Sequence, residues 1–260
     1  MHEAASVRGL LIDLDGVCHI DGMVVPGAPE ALRRIAAAGI PCRFITNTTT
    51  RSRRALAERL GGMGLPIAEG AVFSAPRAAA SYLREHGPQR ARLVVADAVR
   101  EDFDAVAVDE IAPQAVVVGD IGPNWSYQLL DGIFRQVLAG AQLVALHKGR
   151  YWQTAQGLSL DIGAFVAGLE YATRREALVI GKPAPAFFLQ GIADLGLPAE
   201  RIAIVGDDID SDIGGGQACG LTGIQVRTGK WRADLAAASP VRPHRTIDSI
   251  AELPSLLGLP

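Results

Sequence analysis

The chain has no surplus of either charge, few cysteines and no long apolar run, and each shortage removes a class of function. Its formal net charge is −3, and no basic run reaches about five residues, which argues against nucleic acid as a partner. Three cysteines, Cys18, Cys42 and Cys219, are too few and too scattered for a disulfide framework or a zinc knuckle, and suit a reducing compartment. No apolar stretch reaches the length of a membrane span. The opening residues Met1 to Ser6 lack the charged start and apolar core of a secretory leader. The expectation is a cytoplasmic protein with neither membrane nor nucleic acid among its partners. With 260 residues, there is enough chain for a full-sized core in one domain or two.

What is present begins with Gly9-Leu10-Leu11-Ile12-Asp13-Leu14-Asp15-Gly16-Val17. An apolar run of buried-strand character leads into two carboxylates, and Gly16 breaks the strand. Side chains two apart on a strand share a face, so Asp13 and Asp15 are expected on the same side. Two carboxylates about 4 Å apart repel by roughly 4 kcal/mol at an effective dielectric near 20. Such a pair needs a proton or a cation between its members. An Asp-Gly turn with Asp15 capping its own backbone is the alternative.

The rest of the chain repeats the strand–helix rhythm of a parallel α/β sheet, in which ligands lie beyond the carboxyl ends of the strands. Pro29 to Ala36 is read as a helix stopped by Gly39, Pro41 to Asn47 as a strand ending in Thr46 and Asn47, and Arg51 to Leu60 as a helix. Thr46 at such a position serves a ligand or caps the following helix. Strands are expected at Arg92–Ala96, Ala115–Gly119 and Gln142–Leu146, with helices at Tyr127–Leu138 and Ile162–Tyr171. This block, residues 79–177, is read as a second domain inserted into a first made of residues 1–78 and 178–260. Within it, His147, Lys148, Arg150, Tyr151 and Trp152 crowd polar-tipped and aromatic side chains together, as a solvated loop or as contacts to a substrate. Ala177–Pro183 is read as a strand ending at Lys182, and Arg201–Gly206 as a strand delivering Asp207, Asp208 and Asp212. A further strand is expected at Thr222–Val226 and a helix over Ile247–Leu257.

Several familiar motifs fail. Asp208-x-Asp210-x-Asp212 opens like a calcium loop, but Ile213 replaces its glycine and Cys219 its closing glutamate. The glycines at 214–216 have the wrong spacing for a dinucleotide fingerprint. Gly223 to Lys230 misses a phosphate-binding Walker loop by one residue, and no Gly-x-Ser-x-Gly or His-Glu-x-x-His is present.

Four strand ends remain: Asp13-x-Asp15, Thr46-Asn47, Lys182, and Asp207 to Asp212. In this order they resemble the four motifs of the haloacid dehalogenase-like phosphatase superfamily, and the resemblance covers nearly the whole chain. The insert between the second and third motifs is similar to the C2-type cap of the NagD-like branch. Gly181-Lys182-Pro183-Ala184-Pro185, Gly206-Asp207-Asp208-Ile209, Val226-Arg227-Thr228-Gly229-Lys230 and Leu169-Glu170-Tyr171-Ala172 resemble the part of that branch holding phospholysine phosphohistidine inorganic pyrophosphate phosphatase. The resemblance implies a doubly wound parallel-sheet core with an α/β cap, and magnesium-dependent hydrolysis of small phosphorylated molecules. It implies Asp13 as nucleophile and Asp15 as general acid and base. Magnesium would be held by Asp13, the main-chain carbonyl of Asp15, and Asp207, with Asp208 or Asp212 supporting the metal's waters or Lys182. Thr46, Asn47 and Lys182 would meet the phosphoryl oxygens. A dehalogenase has no use for the acid at Asp15, whereas a phosphomutase and a non-catalytic phospho-ligand binder stay open, as does a homodimer.

Overall fold

A computed structural model describes residues 7–87, 89–154 and 157–260. The chain divides into two compact units, one made of residues 1–46, 54–73 and 182–260, the other of residues 47–53 and 74–181.

The first unit is built on a six-stranded sheet in the order Arg245–Ile247, Thr222–Val226, Ile202–Gly206, Gly9–Asp13, Cys42–Thr46, Val72–Ser74. Gly9–Asp13 lies at its middle, parallel to both neighbours, with Ile12 opposite Val205 and Asp13 opposite Ile45. Every residue of this strand is buried, which explains its unbroken apolar run: covered on both faces, it has no polar side to alternate with. Burying a Leu or Ile side chain contributes roughly 1.5–3 kcal/mol, so Leu10, Leu11 and Ile12 hold the strand firmly and make its end a rigid platform. The helix Ala28–Ala37 starts at a proline-containing first turn and buries Ala28, Ala31, Leu32 and Ile35, one face at helical spacing. Pro185–Leu195 likewise starts on its proline, buries Phe187 and Phe188, and ends at Gly196 in the left-handed conformation.

The second unit carries a five-stranded parallel sheet in the order Leu178–Val179, Gln142–Ala145, Ala115–Val118, Arg90–Val94, Ala107–Val108. Helix Tyr127–Leu138 opens where Ser126 Oγ accepts the Leu129 N–H at 3.1 Å, and it buries Ile133 and Val137 against the sheet. Helix Gly163–Thr173 packs on the same cluster through Val166 and Leu169.

Three parts of the sequence reading are corrected. Leu178–Val179 does not return to the first sheet at residue 178; it pairs with Val144–Ala145 at an edge of the second. Tyr151–Thr154 and Gly157–Leu160 form an antiparallel hairpin where a loop leading into a helix is read. Arg245–Ile247 is an edge strand, with only Ile250–Glu252 and Leu253–Leu256 helical beyond it. The two edge strands are short and pair with segments well removed in the chain, and the hairpin strands are four residues each, so local periodicity carries little trace of any of them.

Candidate active site

Asp13 ends the central strand with its carboxylate buried, and Oδ1 accepts both its neighbour Leu14 N–H at 2.9 Å and Lys182 Nζ at 2.7 Å. Lys182, also buried, lies 2.7 Å from Asp212 Oδ1 as well. Asp207 follows directly on the strand Ile202–Gly206. Its Oδ2 accepts the Lys230 N–H at 2.7 Å, while Oδ1 is buried with no hydrogen-bond partner among the described residues. Oxygen atoms of Asp13, Asp207 and Asp212 all lie within 4.8 Å of one another.

Three carboxylates converge in a buried space where Lys182 is the ammonium in direct contact, paired with Asp13 and Asp212. The protonation equilibria register this. Burial first, then repulsion from Asp212, push Asp13 well above the usual carboxylate range against the pull of Lys182. The same two causes push Asp207 up to about 6. Burial opposes the charge on Lys182, but Asp13 and Asp212 outweigh it and raise its pKa. A hard divalent cation with oxygen ligands fits this donor set: it would neutralise carboxylate charge and satisfy the orphaned Asp207 Oδ1.

The backbone is shaped around these carboxylates. Gly16 has φ +86°, and a Cβ there would fall 1.9 Å from Asp207 Oδ2. Gly229, at φ +60°, would place a Cβ 2.0 Å from the same oxygen. At Gly206 a Cβ would fall 2.3 Å from that of Asp212. Only glycine permits carboxylate and chain to approach so closely.

Asp15 departs from expectation. The carboxylates that converge are Asp13, Asp207 and Asp212; that of Asp15 stands apart, 63% exposed, with Oδ1 3.6 Å from His19 Nε2. The chain turns before Asp15 is reached, since Cys18 and His19 both donate backbone N–H groups to Leu14 O. Strand alternation therefore no longer governs where Asp15 points. Asp208 and Asp212 also separate. Asp212 meets Lys182, whereas Asp208 Oδ1 accepts the N–H groups of Asp210 and Ser211, and its Oδ2 lies 3.4 Å from Lys230 Nζ.

Thr46 is buried at the strand end beside that of Asp13. Asn47 opens the second unit and lies against Gly181, where a Cβ would fall 2.7 Å from Asn47 Oδ1. In the second unit, His147 is turned inward: Nδ1 accepts the Gly149 N–H at 3.1 Å and lies 3.8 Å from Asp161 Oδ2. Lys148 is ion-paired with Glu170, and Arg150 is exposed. Tyr151 and Trp152 belong to the hairpin by their backbone, and their side chains lie outside the described residues.

The site also uses residues to which the sequence reading gives no role. Thr228 Oγ1 donates to Gly16 O, Gly229 packs on Asp207, and Lys230 N–H holds Asp207 Oδ2. This strap follows a fifth strand, Thr222–Val226. Its signal was the same as at the other four strand ends: small and polar residues directly after a buried run.

Family profiles and known proteins match this arrangement along the chain. A profile described as haloacid dehalogenase-like hydrolase matches residues 10–109, and one described as HAD-hydrolase-like matches residues 179–253. The human haloacid dehalogenase-like hydrolase domain-containing protein 2 is 40% identical over 249 residues, covering 96% of this chain and 95% of its own. Human phospholysine phosphohistidine inorganic pyrophosphate phosphatase is 38% identical over 260 residues, covering 97% and 95%. Among solved structures, NagD from E. coli superposes with a TM-score of 0.88 at 27% identity, covering 95% of this chain and 98% of its own. Glycerol phosphate phosphatase from Mycobacterium tuberculosis, in complex with magnesium, does so with a TM-score of 0.85 at 30% identity, covering 97% and 78%. No helix among the described residues is long and apolar enough to cross a membrane.

Proposed function

The chain belongs to the haloacid dehalogenase-like hydrolases, in their NagD-like branch, and on that footing we propose that it is a magnesium-dependent phosphatase of small phosphorylated molecules. The observation that carries this reading is the buried group of Asp13, Asp207 and Asp212, in which Asp207 Oδ1 has no hydrogen-bond partner among the described residues. When bound, magnesium supplies Lewis-acid neutralisation of the phosphoryl oxygens. Asp13, Asp207 and the main-chain carbonyl of Asp15 are its proposed ligands, with Asp212 joining through the cluster.

The remaining chemistry belongs to the chain. A carboxylate oxygen of Asp13 attacks phosphorus in line with the departing oxygen, forming an aspartyl-phosphate. Asp15 gives its proton to that oxygen, then removes a proton from the water that attacks the aspartyl-phosphate and returns Asp13 to its free state. Lys182 holds Asp13 in place and adds fixed positive charge, and Thr46 and Asn47 donate to the phosphoryl oxygens. The second unit, in the role of the C2-type cap, reads the rest of the substrate. Names of relatives support phosphomonoesters and pyrophosphate or phosphoramidates as the substrate class. A cytoplasmic setting completes the proposal.

Purified protein should hydrolyse 4-nitrophenyl phosphate and members of a phosphometabolite panel with magnesium, and stop on chelation. Asp13→Asn should keep a cooperative melt and lose turnover by several orders of magnitude. Near-normal turnover in that variant, or full activity in chelator, would overturn the reading.

A further inference from the structure

His19 is a buried imidazole that no step above uses. It sits in the turn that carries Asp15: its carbonyl accepts the Gly16 N–H at 2.7 Å, and its own N–H reaches Leu14 O at 3.2 Å. Residues 15 and 19 are bridged through their backbones. The side chain is 8% exposed and places Nε2 3.6 Å from Asp15 Oδ1, while Nδ1 is enclosed without a hydrogen-bond partner among the described residues.

The two ring nitrogens are therefore unequal. A neutral imidazole carries one hydrogen. On Nδ1 that hydrogen would be a buried donor with no acceptor, and the Nε2 lone pair would face a carboxylate; both are unfavourable. On Nε2 it points at Asp15. An imidazolium has hydrogens on both nitrogens, so Nε2–H faces Asp15 whichever charge state the ring holds. The present separation is just past hydrogen-bonding distance, and a movement of about 0.5 Å by the exposed carboxylate closes it to an ordinary bond.

We propose that His19 is a positioning residue for Asp15, anchoring Oδ1 through Nε2–H so that Oδ2 is the oxygen that handles the proton. Without an anchor, an exposed carboxylate samples several staggered rotamers, and only some present a proton to the leaving group. In the first half-reaction the Asp15 Oδ2–H bond breaks, and the leaving oxygen gains that proton while keeping the electron pair of its bond to phosphorus. In the second, water passes a proton to Oδ2 as its oxygen bonds to phosphorus and the bond from phosphorus to Asp13 breaks. His19 neither gains nor loses a proton in either. This inference rests on Asp15 being the proton carrier.

The test uses kcat/KM, which reports steps up to departure of the leaving group, on an aryl and an alkyl ester. 4-Nitrophenyl phosphate needs little help from an acid; glycerol phosphate needs a great deal. His19→Phe fills the space and removes the donor. It should lower kcat/KM for glycerol phosphate about tenfold or more, and for 4-nitrophenyl phosphate by less than about threefold, within the span general acid catalysis supplies. His19→Gln, with an amide nitrogen that reaches the Nε2 position, should restore most of the ratio. Asp15→Asn should show the same selectivity in stronger form. If Asp15→Asn is unselective, Asp15 is not the acid and both readings fall. If Asp15→Asn is selective while His19→Phe lowers both substrates alike or neither, the positioning role alone is overturned. Should His19→Phe not fold, the wild-type protein labelled with 15N-histidine decides by long-range 1H–15N correlation. A hydrogen on Nε2 is expected; the Nδ1–H tautomer would overturn the inference.

Discussion

Lys182 Nζ lies 2.7 Å from Asp13 Oδ1 and 2.7 Å from Asp212 Oδ1, so one buried ammonium bridges carboxylates from two different strand ends. Lys182→Met would leave both carboxylates facing each other with no compensating charge. Breaking a buried pair from one side costs about 3–5 kcal/mol, and losing a donor to a developing charge costs roughly 10²–10³ in kcat. Denaturant melts and steady-state kinetics should show both losses. Lys182→Arg should rescue little, because a planar fork does not replace a point charge. Wild-type activity in either variant would contradict the bridging role.

Asp207 ties stability to pH through its raised pKa. Its folded-state pKa of about 6 exceeds the roughly 4 of an unfolded carboxylate. The stability that this group contributes is thus fully present below about pH 4 and is lost as pH rises through about 6. In chelator, the melting temperature should fall across that window. A divalent cation binds the deprotonated form, so magnesium should raise the melting temperature more at pH 7.5 than at pH 5. Thermal melts with and without magnesium at both values check this; an equal or larger gain at pH 5 would rule it out.

Asp208 and Asp212 should respond differently to the same change. Asp212→Asn removes charge from the buried cluster and a partner from Lys182, so turnover should drop by at least about 10². Asp208→Asn keeps a side-chain oxygen able to accept from Asp210 and Ser211 and should cost less than about 1 kcal/mol of stability, since Asn caps nearly as well as Asp. Parallel kinetics and melts decide; equal loss of turnover in both would mean the two carboxylates share one function.

Gly229→Ala probes the strap. An alanine Cβ would enter the space held by Asp207 Oδ2 and strain a positive φ. Magnesium binding followed by calorimetry should weaken by about tenfold or more, equivalent to 1.4 kcal/mol. Gly39→Ala is the control, having positive φ but nothing within 4 Å of its Cβ. If the two variants bind magnesium equally well, the strap does not organise Asp207.

The central strand, its flanking strands and the polar residues at their ends were legible in the residues, because a strand covered on both faces must be apolar throughout and must then stop at something polar. Asp13 and Asp207 are visible for that reason: each is a charge at or directly after the end of a buried strand. The edge strand Arg245–Ile247 was not, nor was the sheet that Leu178–Val179 joins. Both are short, and which sheet a short strand joins is set by a partner that local periodicity does not record.

Tertiary structure alone decided the finer assignments. Asp208 and Asp212 are equal candidates as letters; the short π-helix Ile209–Gly214 brings Asp212 back against Gly206 and to Lys182, while Asp208 is used up in capping that helix. Strand alternation put Asp13 and Asp15 on one side, but the hydrogen bonds at Leu14 O end the strand between them and send Asp15 to the surface beside His19. Thr228 to Lys230 stand far along the chain from Gly16, and only folding sets them against it. Sequence pattern therefore determined which strand ends carry charge, since burial and alternation are local rules. Which charges meet depends on turns and long-range packing, where a single backbone hydrogen bond redirects a side chain.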